Sequence, residues 1–471
     1  MNKKAGAGIA AAAVVVVAGV LGTSYYMGGK LEQGFQDAAA KWSRDGLKIQ
    51  VLSYERGTFT STAKTVWTYE RGGEDEPLQF TADHQISHGP LPRGHAAEVH
   101  TLFRLPDDAG EDLKAALAGR APVELTTKVG WTRSTSNLMT SPVVTGKIEG
   151  SDLNWGGMKI EWDMPADMKA AKGTASFPSL QFKGSEGGSM AMESATMRFD
   201  LKQPQGQQFW TGPFAVSLAK LAAQPEDADK LPSFVQDLSL DTDTVLQNDV
   251  VEVTIKGGIK SAQLEDRKAD DLALEVAFHN IDSAWINQAM ELGQRRRAAM
   301  AEGEESEEAQ AEDDDLRNAL MKGMTQALAR KPEIEIKRLA MRTKDGVSEL
   351  GAAFKYQGDG SNMSTLFKDL KLSLHAQLPK AVMEDLIGQR ARRSYLALVE
   401  DSEQEFDKEE LDTAIQANVK EQMDALLERG VFEDKAGIMT TQMQFENGEI
   451  KVNGKPLDTL DAATLMGSMA E

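Results

Sequence analysis

Residues 250–256, Val250-Val251-Glu252-Val253-Thr254-Ile255-Lys256, decide the fold. Val251, Val253 and Ile255 alternate with Glu252, Thr254 and Lys256, and a period of two sends the apolar set to one face of a strand and the polar set to the other. A face of charge opposite a face of hydrocarbon predicts an antiparallel sheet that is wet on one side. The same pattern runs back toward the N-terminus. Leu47, Ile49 and Val51 alternate with Lys48 and Gln50, and Phe59 opens a threonine-rich extended run to Trp67 and Tyr69. Asn154–Gly157 and Gly187–Gly188 supply turns, so the chain from about 47 to about 260 reads as strand and turn.

Toward the C-terminus the order of elements repeats at a spacing of roughly 100 residues. In the first copy Leu272, Leu274, Val276 and Phe278 alternate, a helix is expected from Ser283 to about Met300, and the acidic stretch Glu302–Asp315 leads to a second helix ending near Arg330. A hairpin follows, with Ile334 and Ile336 in its first strand and a turn at Asp345-Gly346. In the second copy Leu370, Leu372, Leu374 and Leu378 alternate, and helices are expected over about 380–400 and up to Arg429, where Gly430 is a natural stop. Asp401–Glu410 joins them, and a closing hairpin turns at Asn447-Gly448. Leu411, Ile415, Val419, Met423 and Leu426 keep helical spacing. The simplest role for that stripe is to cover the sheet. Methionines at 290, 300, 321, 324 and 423 leave open an adaptable partner surface or a dimer contact.

Composition narrows the function classes. With 73 acidic against 52 basic side chains, the net charge is −21, which leaves no source for phosphate neutralisation and argues against nucleic acid as a partner. No cysteine is present, so disulfides, thiolate metal sites and thiol catalysis are excluded. Lys3 and Lys4 precede an uncharged run, Ala5–Met27, that as a helix would extend about 35 Å. A bilayer core is about 30 Å thick. The run is therefore expected to be a transmembrane helix with its N-terminus cytoplasmic by the positive-inside rule, and Tyr25 and Tyr26 at the far interface. A cleaved signal peptide is the competing expectation. Lys30–Arg44 then reads as an amphipathic stalk.

Candidates for chemistry are few. His84 and His88 have the four-residue spacing of two metal ligands on a helix, but Gly89, Pro90, Leu91 and Pro92 follow and break a helix there, so no metal site is expected. No phosphate-binding glycine loop or nucleophile elbow is present in the sequence, and neither cofactor nor catalytic residue is assigned.

Three motifs resemble the bacterial YdgA family, whose proteins carry a domain of unknown function. Tyr54, Arg56, Gly57 and Phe59 are similar to its Tyr-x-Arg-Gly-x-Phe opening, and His88, Gly89 and Pro90 to its His-Gly-Pro segment. Asn447, Gly448, Asn453 and Gly454 stand where that family has its Asn-Gly turn and final Asn-Gly pair. The resemblance implies a single-pass protein of the bacterial inner membrane with its bulk in the periplasm, and no established catalytic residues. For these positions the simplest role is turn chemistry; the sharper one is that the bends at Arg56-Gly57 and His88–Pro92 line one end of a shared groove.

The expected fold is α+β: an N-terminal transmembrane helix (1–29), extended antiparallel meanders (30–265) and two strand, helix-pair and hairpin repeats (266–365 and 366–471). The expected function is a membrane-anchored envelope scaffold or binding protein, with a lipid, an envelope protein or a second copy of the chain as partner. An envelope hydrolase is the alternative.

Overall fold

A computed structural model describes residues 47–457 apart from 57–59, 70–76, 89–94, 107–108, 228–229, 303–317, 319–321, 361–365, 367 and 403–407. Two compact units divide the chain: residues 1–244 with 286–320, and residues 245–285 with 321–471.

The first unit is a meander. β1 (Leu47–Arg56), β2 (Thr60–Tyr69), β3 (Leu78–His88) and β4 (Ala97–Arg104) pair in succession, each antiparallel to the last. A short helix, α1 (Glu111–Leu117), precedes β5 (Val123–Val129), which continues the meander from β4 and pairs onward with β6 (Thr135–Ser141). The next partner of β6 is β9 (Met158–Met164), because the hairpin of β7 (Val144–Ile148) and β8 (Ser151–Trp155) is inserted between them. β10 (Ala170–Lys183) is twice as long as β9 and takes both neighbours on one edge, β9 against residues 172–176 and β8 against 180–183. Strands of similar length, β11 (Ser189–Lys202), β12 (Gly212–Gln224) and β13 (Ser233–Gln247), continue from there.

Strict alternation builds the core of this unit. Trp67, Phe80, Ala82, Phe103, Val123, Leu125, Met139, Ile160 and Trp162 come from six different strands and pack in one buried cluster. Trp67 and Phe103 meet edge to face with ring centroids 5.7 Å apart. A second cluster of Ala63, Ile86, Ala97, Val99 and Val129 lies on the same strands nearer their turns.

In the second unit β14 (Val250–Leu264) pairs with β15 (Arg267–Asp282), and the chain then leaves the sheet in helix α2 (Ser283–Glu302), whose residues from 286 onward belong to the first unit. Asp282 caps that helix, accepting a hydrogen bond from Trp285 N at 2.9 Å while Arg330 Nε donates to its other oxygen at 3.2 Å. Helical residues 322–329 (α3) return the chain to β16 (Glu333–Thr343) and β17 (Gly346–Tyr356). β18 (Leu370–Pro379) is followed by helices α4 (Lys380–Ser402) and α5 (Lys408–Glu428), then by β19 (Glu433–Lys435), β20 (Ile438–Glu446), β21 (Glu449–Val452) and β22 (Lys455–Leu457). Both helical excursions leave the ladder intact, since β15 pairs with β16 and β18 with β20 directly.

The α+β expectation is corrected by this architecture. Among the described residues antiparallel sheet dominates, with strand at 60% and helix at 19%, because the helices are detours between adjacent strands and do not form a layer of their own. No described helix is long and apolar enough to cross a membrane; the run Ala5–Met27 and the Lys30–Arg44 stalk lie outside the described residues. Asn154 belongs to β8, so the turn expected there narrows to Gly156-Gly157.

The closing turns explain their own motif. Asn447-Gly448 and Asn453-Gly454 both have positive φ at each residue, 54° and 80°, then 51° and 77°, as two-residue hairpin turns of the primed type require. Asn453 does more than turn the chain. Its Oδ1 accepts from Gln442 N at 2.9 Å, and its Nδ2 donates to Gly430 O at 2.9 Å and Val431 O at 3.3 Å. Helix α5 ends there in a Schellman motif, with Val431 N donating to Leu426 O and Gly430 N to Leu427 O. The side chain thus ties the helix end to the last hairpin. Asn453→Ala is expected to destabilise the second unit by about 2 kcal/mol, read as a lower urea midpoint at unchanged slope. A midpoint equal to wild type would show that the three bonds contribute nothing net.

Candidate functional site

The strand ends that flank the first two motifs lie at the same end of the first unit's sheet. Arg56 at the end of β1 pairs with Ser61, Thr60 at the start of β2 with Ser87, and His88 at the end of β3 with Ala97. Tyr54 packs against the Ala63, Ile86 and Val99 cluster beneath them. Gly57, Phe59, Gly89 and Pro90 lie outside the described residues. The segment preceding them is strand, not turn, since β3 runs to His88. His84 and His88 are therefore about 13 Å apart along an extended chain at roughly 3.3 Å per residue. They cannot chelate one ion through adjacent ligand positions, and no group of three metal-ligating side chains occurs among the described residues.

Between the two apolar clusters of this unit runs a buried band of polar side chains that sequence reading did not assemble. His84, 7% exposed, lies between Thr65 and Thr101 on neighbouring strands, with Nε2 2.8 Å from Thr65 Oγ1 and Nδ1 2.9 Å from Thr101 Oγ1. Trp67 Nε1 donates to the same Thr65 oxygen at 2.8 Å. Across the sheet Thr127 donates to Asn137 Oδ1 at 2.8 Å, and Asn137 Nδ2 donates to Trp162 O at 3.2 Å. The signal was available. Ser61 and Thr65 share the inward parity of Ala63 and Trp67, so inward polar residues recur on successive strands.

The second unit has two contrasting faces. On one, His279, Glu333, Lys355 and Lys371 stand directly opposite one another on successive strands. Ion pairs link Glu252 to His279, Glu333 to Lys355 and Lys371 to Glu446. Hydrogen bonding to Glu333 holds the Lys355 ammonium above its ordinary pKa. The Glu252–His279 pair is fixed further by the Asn280 backbone N–H, which donates to Glu252 at 2.9 Å.

The other face is hydrocarbon. One row runs Val253, Phe278, Ile334, Phe354, Leu372, Phe445 and Ile450, each opposite the next. A second runs Ile255, Val276, Ile336, Ala352, Leu374, Met443 and Val452 beside it. Helices α4 and α5 pack on one end of this face, where Met383, Ile387 and Met423 meet Met439 and Leu378. Met423 is therefore core and not an adaptable surface. Beyond the helices Ile334 remains 38% and Leu372 42% exposed.

Burial lowers the His84 pKa to about 4, against a weaker upward pull from Asp83. The unfolded chain takes up this proton near pH 6.5 and the folded one only near 4, so stability is full above about 6.5 and falls as pH drops through that window. The loss approaches about 3 kcal/mol at the acid end. His84→Gln is expected to flatten the decline in urea stability between pH 7 and 4.5; a slope identical to wild type would refute the assignment.

The family comparison agrees with the motifs in kind. A model described as "Bacterial protein of unknown function (DUF945)" matches residues 1–459. Its name is not YdgA, but it too is a bacterial family without an assigned function. No curated protein and no solved structure matches the chain. The protein belongs to the DUF945 family of bacterial proteins of unknown function.

Proposed function

We propose that this protein is a binding protein of the bacterial cell envelope that holds a hydrophobic chain against the apolar face of its second unit. One observation carries the reading: two parallel rows of apolar side chains cross seven strands in register, most of them half-buried, with Ile334 and Leu372 more than a third exposed. At about 4.8 Å per strand the rows extend about 29 Å. Contiguous, partly exposed hydrocarbon of this extent marks a binding surface more often than an ordinary protein exterior. The charged ladder on the opposite face keeps the unit soluble from the other side.

Envelope placement is supported by sequence alone, through Lys3 and Lys4 followed by the uncharged run Ala5–Met27. A reporter enzyme that works only outside the cytosol, fused after Glu471, should be active; activity confined to cytosolic reporters would remove the envelope from the proposal.

Full-length protein gently extracted from membranes should carry apolar small molecules in native mass spectra. Ile334→Asp with Leu372→Asp, at positions exposed enough to accept charge, should lower that occupancy by about tenfold or more with circular dichroism unchanged. Repeatedly clean wild-type spectra would count against ligand binding altogether.

A further inference from the structure

Thr441 stands at the end of a third apolar row. Leu274, Leu339, Leu350, Ala376 and Thr441 lie opposite one another on five successive strands. Exposure falls along the row, from 36% at Leu274 and 46% at Leu339 to 7% at Thr441. Thr441 adjoins the covered end of the face, two residues from Met439, which is buried under α4 and α5. Its hydroxyl oxygen is buried and has no hydrogen-bond partner among the described residues, and Ser348 Oγ on the same face shares that condition.

An unpartnered buried hydroxyl is costly, by about 1–3 kcal/mol, because it has left water and gained nothing in return. A cavity-free packing role would be served better by valine, which has the same shape and no polar atom. The hydroxyl at the end of a hydrocarbon row is what a ligand with an apolar tail and one acceptor would use. We propose that this row is an acyl-chain site, with the chain laid across the strands from Leu274 to Ala376 and an uncharged ester carbonyl accepting a hydrogen bond from Thr441. The proposal rests on the hydrophobic-chain reading above and names its ligand class.

Three features choose that ligand. The row crosses four strand intervals, about 19 Å, which accommodates a chain long enough to span one leaflet of about 15 Å. An extended peptide laid on side chains would leave its own N–H and C=O groups unpaired, a cost an acyl chain does not carry. A free carboxylate is disfavoured because the residues that flank Thr441 on its face, Met439, Met443 and Ala376, are uncharged, in a chain of net charge −21.

The test displaces an environment-sensitive apolar dye from the full-length protein with methyl dodecanoate, dodecanoate and dodecane. Wild type should bind the ester about tenfold more tightly than dodecane, and more tightly than the carboxylate at pH 8. Thr441→Val should erase the ester's advantage without weakening dodecane, and Thr441→Ser should keep it. Ester and dodecane binding equally to wild type, or an advantage that survives Thr441→Val, would overturn the carbonyl assignment while leaving the hydrophobic-chain reading standing. Failure of all three probes to displace the dye would overturn both.

Discussion

Everything in this protein depends on keeping antiparallel register over many strands. A strand whose side chains alternate has one face to bury, and a slip of a single residue would exchange its hydrocarbon for its charge. In the second unit Phe278, Ile334, Phe354, Leu372 and Phe445 remain opposite one another although two long helical excursions interrupt the chain. The helices can vary without moving the rows because strands on either side of each excursion pair directly. Bulges absorb local mismatch, as between Ile336 and Leu339, where the two strands of a hairpin differ in count.

The first unit meets the same constraint by another means. Its shorter strands close a buried core, and inside that core hydrogen bonds replace apolar contact along the His84, Thr65 and Thr101 band. Such a network is tolerated only when its members find partners, and a neutral imidazole meets both threonines in either tautomer. It also makes the core specific, since neither threonine nor histidine gains from any other strand offset.

Much of this was legible in the sequence. Alternation at Val251–Lys256 and Leu272–Phe278 located long strands, Gly430 marked the end of a helix, and Asn447-Gly448 marked a tight hairpin, because each signal is local and written in one segment. The dominance of sheet over helix was not legible. Helical stretches such as Lys380–Ser402 announce themselves by periodicity, whereas their standing as detours depends on β18 meeting β20 across 58 intervening residues. The polar band escaped for the same reason. Thr65, His84 and Thr101 are each ordinary strand residues until three strands bring them together. The Asn453 staple could not be foreseen from its motif, which signals a turn and says nothing of Gly430.

Strand length in the first unit doubles at one step. β6 and β9 have 7 residues each and β10 has 14, a change accommodated by setting β9 and β8 end to end along a single edge, with Gly156-Gly157 at the seam. Ser141 pairs with Met158, so β6 and β9 would already form a complete hairpin without the segment between them. That segment behaves as a paving piece added to a finished border. Residues 142–157 therefore set how far the outer half of β10 is paired on that edge, and through Trp155 they also wall one side of the tryptophan and methionine interior.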